Sequence, residues 1–330
     1  MLAEPLQPLR LEPILKELIW GGRRLGTLLG KPIGPGVCYA ESWEVADHRD
    51  DVSLVAEGPL KGTTLRRLVQ HHGSELLGPG LGPRDQFPLL VKFIDAHDVL
   101  SVQVHPDDER GRRLAGDNGK TETWVIVSAE PGSLIYAGLK SGVTQEQFGE
   151  AVTRGQVEPL LHRFEPRPGD CIMIEAGTVH AIGAGVLLAE IQQMSDATFR
   201  IDDWGRTRPD GKPRELHIDQ AMESIDFNRG PVNPLVPVTE PDAEGNVRER
   251  LSRCPYFELE RWTLTQPRSL CLQDRFTIVM GLGGSCLLRG QGRETSLAFG
   301  ETLLLPASAG PCEVIPDPRR PATVLTCHVP

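Results

Sequence analysis

Ser101-Val-Gln-Val-His-Pro-Asp-Asp108 sets Ser101, Gln103 and His105 at alternate positions, with apolar Val102 and Val104 between them. In an extended strand, residues i, i+2 and i+4 project from one face. The segment therefore predicts a strand over Leu100 to His105 with a polar row on one side. Burying an amide and an imidazole without partners costs ~1 to 3 kcal/mol each, so such a row faces water or binds something. Pro106 closes the strand, because it supplies no ladder donor. Downstream lie Gly119-Lys-Thr-Glu-Thr-Trp124 and Ala176-Gly-Thr-Val-His-Ala-Ile-Gly183. Gln103, His105, Glu122 and His180 together offer two imidazoles, a carboxylate and an amide, a nitrogen and oxygen set suited to a divalent metal.

Outward from this stretch the pattern is dense with short strands: Leu89 to Asp95, Glu122 to Ala129, Ser133 to Gly138, Gly169 to Gly183 around a glycine turn, and Val186 to Gln193. Glu41 to Val45 alternates apolar and polar residues, the period of a half-buried strand. Trp20 and Trp43 read as core packing. Helices are expected near 63–77, opened by Thr63 or Thr64, near 144–154 with Thr144 and Gln147 as a capping box, and near 216–224. The adjacent His71 and His72 point apart on the first of these and read as solvated or packed side chains. Asp210 to Arg214 is expected to be a loop.

Between Asn228 and Asn246 the chain turns to Pro, Val, Gly and acidic residues without helical periodicity. The domain boundary is placed there, giving a unit over 1–231 that carries the four candidate ligands and a C-terminal β-unit over 232–330. The latter reads as an antiparallel sandwich of short strands with no convergent ligand set, hence a structural element, lid or interface. The fold class is thus mainly β with a few short helices. Gly 35 and Pro 28, together approaching a fifth of the 330 residues, supply the turns such a fold needs.

A net charge of -10 discourages nucleic-acid binding while leaving room for a small anion at local Lys and Arg residues. The longest apolar runs fall far short of the ~20 residues of a membrane span, and the N-terminus lacks a basic leader and apolar core, so a cytoplasmic location is expected. Seven dispersed cysteines (Cys38, Cys171, Cys254, Cys271, Cys286, Cys312, Cys327), with no Cys-x-x-Cys pair, argue against a disulfide framework or a thiolate zinc site and read as small hydrophobes.

Gly169-x5-Glu175-x-Gly177-x2-His180 resembles the second cupin motif, with Glu175 where proline is usual, and Gln103-x-His105 takes the place of the first motif's paired histidines. Glu122 lies farther on than that motif allows, which implies a loop of about a dozen extra residues, Pro106 to Lys120. Further segments complete the pattern: Ile19-Trp-Gly-Gly22, Glu41-Ser-Trp-Glu-Val-Ala-Asp-His48, Pro88-Leu-Leu-Val-Lys-Phe-Ile-Asp-Ala96, Leu188-Ala-Glu-Ile-Gln-Gln193 and Ser195-Asp-Ala-Thr-Phe-Arg-Ile-Asp-Asp-Trp-Gly-Arg206. In this order they resemble the type I phosphomannose isomerases in their short bacterial form, over Ile19 to about Ser224. Phe199 stands where tyrosine is common, and Thr123-Trp124 varies from the usual pattern.

The resemblance implies a cupin jelly-roll sandwich followed by a smaller jelly-roll-like β-domain. It implies reversible conversion of mannose 6-phosphate and fructose 6-phosphate. It also implies one Zn2+ per chain, or another divalent metal, on Gln103, His105, Glu122 and His180, with Arg200 as the active-site arginine. An aldose-ketose isomerase moves a proton between C1 and C2 while negative charge collects on the adjacent oxygens, and a fixed cation such as Arg200 lowers that barrier. Glu190 is the first candidate for the base, Lys120 is an acid partner or phosphate contact, and Ser101 is a candidate phosphate contact. Asp196, Asp202 and Asp203 are expected to hold Arg200 or turns. Two other readings remain open at this point: a phosphosugar-binding regulator without turnover, and an Fe(II) cupin oxygenase, since two histidines and a carboxylate also suit non-haem iron.

Overall fold

Val186–Gln193 is the strand around which the six-stranded sheet is built. Its side chains alternate between the two faces of a sheet and all eight are buried, so both faces are covered. It pairs antiparallel with Leu89–Ala96 on one side and Glu122–Ala129 on the other. In the computed structural model of the chain, which describes residues 5–207, 210–270 and 274–330, these strands are the middle of a six-stranded sheet. Its order is Cys171–Ile174, Glu122–Ala129, Val186–Gln193, Leu89–Ala96, Tyr39–Val45, Ile14–Gly22.

Alternation along these strands sends side chains to two different cores. Val186, Leu188, Trp124, Ile126, Ile94 and Ile172 meet Ile135, Ala137 and Ile182 of a five-stranded sheet. That sheet runs Leu161–Phe164, Ile135–Leu139, His180–Ile182, Val102–Val104, Phe199–Asp202, and the two sheets form the jelly-roll sandwich. The intervening Leu187, Ala189, Ile191, Val125 and Val91 point the other way, into a core shared with Leu259, Ile278, Met280, Leu304 and Leu325. These belong to a seven-stranded sheet of the C-terminal unit, backed in turn by a four-stranded sheet across Trp262, Val279, Leu303, Leu288 and Val314. Helices close the outer face of the five-stranded sheet, where Phe148, Ala151 and Ala221 pack on Val102, Val104, Phe199 and Ile201.

Helices form at Leu65–Leu77, Gln145–Thr153 and Ile218–Ser224, each just inside the expected span. Thr64 caps the first through the Arg67 N–H, and Thr144 with Gln147 makes a full capping box. His72 has non-helical backbone angles and its ring lies 2.8 Å from Glu75, with no role at the metal stretch. The 106–120 segment, expected as loop, contains the helix Asp108–Ala115. Its signals are all at the ends: Asp107 accepts the Arg110 N–H as N-cap, and Gly116 at φ 60 takes the left-handed C-cap. With Leu114 and Ala115 as its only apolar side chains it carries no hydrophobic period to detect. A Cβ on Gly119 would lie 2.4 Å from the Asp108 nitrogen, so only glycine lets the chain return so closely to the helix start.

The strand at the metal stretch is shorter than expected, Val102–Val104, with Ser101 and His105 flanking it. Cys171, Cys286, Cys312 and Cys327 are buried and Cys38 and Cys254 half-buried, all as free thiols; Cys271 lies outside the described residues. Among the described residues no helix is long and apolar enough to cross a membrane.

The strand Leu9–Arg10, at the start of the chain, pairs with Thr302–Leu305 near its end. Phe87 and Phe276, both fully buried, stack at 4.8 Å between ring centroids across the two units. Truncation to residues 1–231 would strip the apolar face made by Leu187, Ala189, Ile191 and Val125 of its cover. That fragment is expected to be insoluble or to unfold without a cooperative transition, measured by sedimentation and thermal circular dichroism against the full chain.

Candidate metal centre and active site

Cross-strand register builds the site as two facing rows. On the five-stranded sheet His180 lies opposite Gln103, and Gln103 lies opposite Arg200. Neighbours in register on one face are the closest side-chain pairs a sheet offers. On the six-stranded sheet Glu190 lies opposite both Trp124 and Lys92, and Lys92 lies opposite Trp43. Glu122, opposite Gln192, starts the strand next to the metal stretch. His105 comes in from just past its strand, its carbonyl accepting the Gly177 N–H at 2.8 Å. Residues far apart in sequence thus meet where the two layers of the sandwich face each other.

His105, Glu122 and His180 converge, each buried, with one ligand atom apiece inside a 4.8 Å circle. His105 Nδ1 donates to the Ala197 carbonyl and His180 Nδ1 to the Thr178 carbonyl, both at 2.9 Å. Holding the proton on Nδ1 leaves Nε2 of each ring as a lone-pair donor facing inward. His105 Nε2 stands 3.4 Å and His180 Nε2 3.6 Å from the Glu122 carboxylate, and with the ring protons on Nδ1 these contacts set acceptor against acceptor. His105 Nε2 and both Glu122 oxygens are buried without a hydrogen-bond partner. Orphaned acceptors of this kind are costly unless something cationic sits among them. The amide end of Gln103 lies 3.2 Å from His180 Nε2, and turning its terminal torsion presents Oε1 to the same point. The donor set fits one divalent ion.

The protonation states suit that reading. Burial, and then the adjacent Lys120 ammonium, push the His105 imidazole down to about 4, and burial lowers His180 as well. Both rings are neutral ligands near pH 7. Burial pushes the Glu122 carboxyl up, but Lys120 and the two histidines outweigh it and hold it well below the usual carboxylate range. Lys120 Nζ stands 3.0 Å from Glu122 Oε2, although the strand begins only at Glu122.

Beside this candidate ligand set opens a cavity of about 360 Å³ whose walls include Ser101, Gln103, Lys120, Glu190 and Arg200, five of the residues singled out from sequence. Glu190 accepts from the Trp124 indole at 2.8 Å, pairs with Lys92 at 3.2 Å and stands 4.0 Å from Lys120. Arg200 Nη1 donates to the Glu215 carbonyl at 2.8 Å. Asp196 lines the cavity, whereas Asp202 caps the Trp204 N–H and Asp203 binds Arg206 and Arg214. Glu175, in the turn before His180, is exposed and paired with Arg229, and that turn closes through the Thr178 N–H to the Glu175 carbonyl at 3.1 Å without proline. A larger recess of about 800 Å³ lies between Pro5–Arg10 and Arg293–Ser296, but no imidazole or lysine lines it.

Lys92 and Glu41 are among the cavity residues missed from sequence, as are Lys16, Asp51 and Arg214. Lys92 is 2% exposed and bridges Glu190 to Glu41, 3.4 Å away. Burial pulls its ammonium down, yet the carboxylates of Glu190 and Glu41 raise it above the usual lysine range. Burial raises the Glu41 carboxyl, but Lys92 and the Trp43 indole bring it below its ordinary value. The available signal was a lone lysine in the apolar run Leu89-Leu-Val-Lys-Phe-Ile94, because a cation in a strand covered on both faces must have partners.

Residues 8–131 match the model of the phosphomannose isomerase type I catalytic domain, and residues 248–315 that of the mannose-6-phosphate isomerase cupin domain. Mannose-6-phosphate isomerase ManA of Bacillus subtilis (strain 168) is 36% identical over 315 residues, covering 92% of this chain and 94% of the relative. The crystal structure of the mannose 6-phosphate isomerase from Bacillus subtilis superposes with a TM-score of 0.89 at 31% identity, over 98% of this chain and 100% of that one. A mannose 6-phosphate isomerase bound with zinc and yttrium shares the fold at a TM-score of 0.75 and 16% identity, over 98% of this chain and 100% of that one. The two-layer site, the sandwich that carries it and the end-to-end likeness agree, and the chain belongs to the type I phosphomannose isomerase family.

Proposed function

We propose that this chain interconverts mannose 6-phosphate and fructose 6-phosphate by an aldose-ketose isomerisation, with one zinc ion held by Gln103, His105, Glu122 and His180. The observation that carries the reading is the buried Glu122 carboxylate, ion-paired with Lys120 but accepting no hydrogen bond, between two inward-facing imidazole lone pairs at the edge of a cavity walled by cations. The enzyme relatives in Bacillus subtilis and the zinc-bound neighbour support the substrate and the metal. We place the catalytic site in residues 1–231, the covering β-unit in 232–330, and the protein in the cytosol.

Charge balance supports a phosphorylated substrate. The cavity walls carry Lys16, Lys92, Lys120, Arg200 and Arg214 against Glu41, Asp51, Glu190 and Asp196, and Glu122 behind them completes an equal count of each sign. A divalent ion therefore leaves a surplus of about two positive charges, which a phosphomonoester, at about −1.5 to −2 near neutral pH, offsets. The volume of about 360 Å³ suits one small sugar phosphate.

When bound, the metal would supply Lewis-acid polarisation of a sugar or water oxygen at a residual charge of about +1, since Glu122 is its only anionic ligand. Arg200, oriented by the Glu215 carbonyl, meets the negative charge that collects on the C1 and C2 oxygens. Glu190 is assigned as the base that carries the proton between C1 and C2; Lys92 and the Trp124 indole fix its carboxylate in place. Lys120 faces the same space and serves as acid partner or phosphate contact, and buried Ser101 adds a hydroxyl for the phosphate.

His180→Ala should lose zinc and activity together, read by elemental analysis and a coupled assay of fructose 6-phosphate formation; full zinc occupancy in that variant would refute the ligand assignment. Arg200→Ala should retain zinc and fold yet turn over ~100-fold more slowly, the scale for losing one stabiliser of developing charge. A near-normal kcat would dismiss that role.

A further inference from the structure

Asp108 opens the helix Asp108–Ala115, where a carboxylate is ordinarily worth only its interaction with the helix dipole. Here it reaches three partners outside the helix. Its Oδ1 accepts the Gly119 N–H at 2.9 Å and the Gln193 side-chain amide at 3.0 Å, and its Oδ2 accepts the Tyr256 hydroxyl at 3.0 Å. Gln193 passes the restraint on, its Oε1 accepting the Thr121 N–H at 2.9 Å and its own N–H reaching the Thr121 carbonyl at 3.2 Å. With the Lys120 N–H on the Pro106 carbonyl at 2.9 Å, three consecutive backbone donors immediately before Glu122 are held, two of them through Asp108.

Tyr256 belongs to the C-terminal unit. It sits in the turn between Val247–Arg253 and Glu258–Leu264, which is closed by the Cys254 N–H to the Phe257 carbonyl at 3.0 Å and anchored by fully buried Phe257. A second tether from the same strand reaches the other side of Glu122, Ser252 Oγ lying 3.3 Å from Thr123 Oγ1.

We propose that Tyr256 is a positioning residue for the segment Lys120–Glu122, acting through Asp108, so that the C-terminal unit holds the anionic metal ligand and its lysine partner in place. The inference rests on the metal-site reading given above. Asp108 can satisfy Gly119 and Gln193 with one oxygen in a fixed plane only while the other oxygen is held, and the Tyr256 hydroxyl is what holds it. Burial, reinforced by the adjacent Asp108 carboxylate, pushes the phenol up to about 12, so it remains a donor at neutral pH.

The test uses the full chain as wild type, Tyr256→Phe, Asp108→Asn and the double variant. Asp108→Asn can keep an acceptor for Gly119 and Gln193 while turning the group that faces the phenol into an N–H donor, so the charge-assisted bond from the Tyr256 hydroxyl is lost and only a weaker neutral bond of reversed direction can replace it. Both single variants should weaken zinc binding about tenfold, the lower end of the effect of partners that orient metal ligands. Zinc affinity is read by competition with a chromophoric chelator. Amide exchange at Gly119 and Thr121 in the metal-free protein should rise about tenfold in both, while the melting temperature of the metal-free protein stays at the wild-type value. The double variant should be no worse than either single one, because one link is lost only once. An unchanged zinc constant or an unchanged exchange rate in Tyr256→Phe overturns the proposal, as does a double variant whose losses multiply. A wild-type protein that binds no zinc defeats the metal-site reading alone, and the exchange measurement then decides this one.

Discussion

An ionised carboxylate taken out of water must be surrounded by positive charge or donors, and Glu122 is the place where this chain accepts that constraint. It is 1% exposed, it accepts no hydrogen bond, and the groups near it are Lys120 and two neutral imidazoles. Desolvation of an unpaired carboxylate costs several kcal/mol even after relaxation. Much of the surrounding structure can be understood as the means of keeping it there: two strands that fix its backbone, carbonyls of Ala197 and Thr178 that fix the ring tautomers, and a helix whose first carboxylate fixes the approach to it.

Such rigidity needs a sheet that cannot flex, and the six-stranded sheet is covered on both faces. Toward the five-stranded sheet its alternate positions change from apolar to polar along a single strand, from Val186 and Leu188 to Glu190 and Gln192. That switch is where the closed sandwich becomes an open site. On the opposite face Leu187, Ala189 and Ile191 are apolar and pack on the strands beyond residue 237, and polar Gln193 ends the row. One strand thus serves both as wall of the cavity, through Glu190, and as part of the core shared with the seven-stranded sheet, which lies directly behind the candidate site.

What could be read from sequence follows from how local the cause is. The alternation of Ser101, Gln103 and His105, the capping box at Thr144 and the glycine turn before His180 each declare themselves within a few residues, and each has its counterpart in the structure. Glu190 and Lys120 are reached from the candidate ligands, Glu190 on the strand after His180 and Lys120 two residues before Glu122, and both line the cavity. Helix Asp108–Ala115 was not legible, because helices without an apolar face are specified only by their caps. The pairing of Leu9–Arg10 with Thr302–Leu305 was not either, since nothing in two residues signals a partner almost 300 positions away. Tyr256 reads as one more aromatic in a turn until Asp108 is seen opposite it.

Trp43 shows how a correct local reading can still be incomplete, and Trp124 repeats its arrangement. Both are buried, as the core assignment of Trp43 requires. Yet each indole N–H is spent on a carboxylate, Trp124 on Glu190 at 2.8 Å and Trp43 on Glu41 at 2.6 Å, and those carboxylates are the two that flank Lys92. An indole is a donor that cannot accept, so at these positions it stabilises the ionised form of its partner without titrating. Phenylalanine would fill much of the same space and leave a buried anion short of a donor. The two tryptophans therefore set the charge of the cavity wall as much as they fill the core, and they tie the sign of the lysine between them to the packing of the sheet.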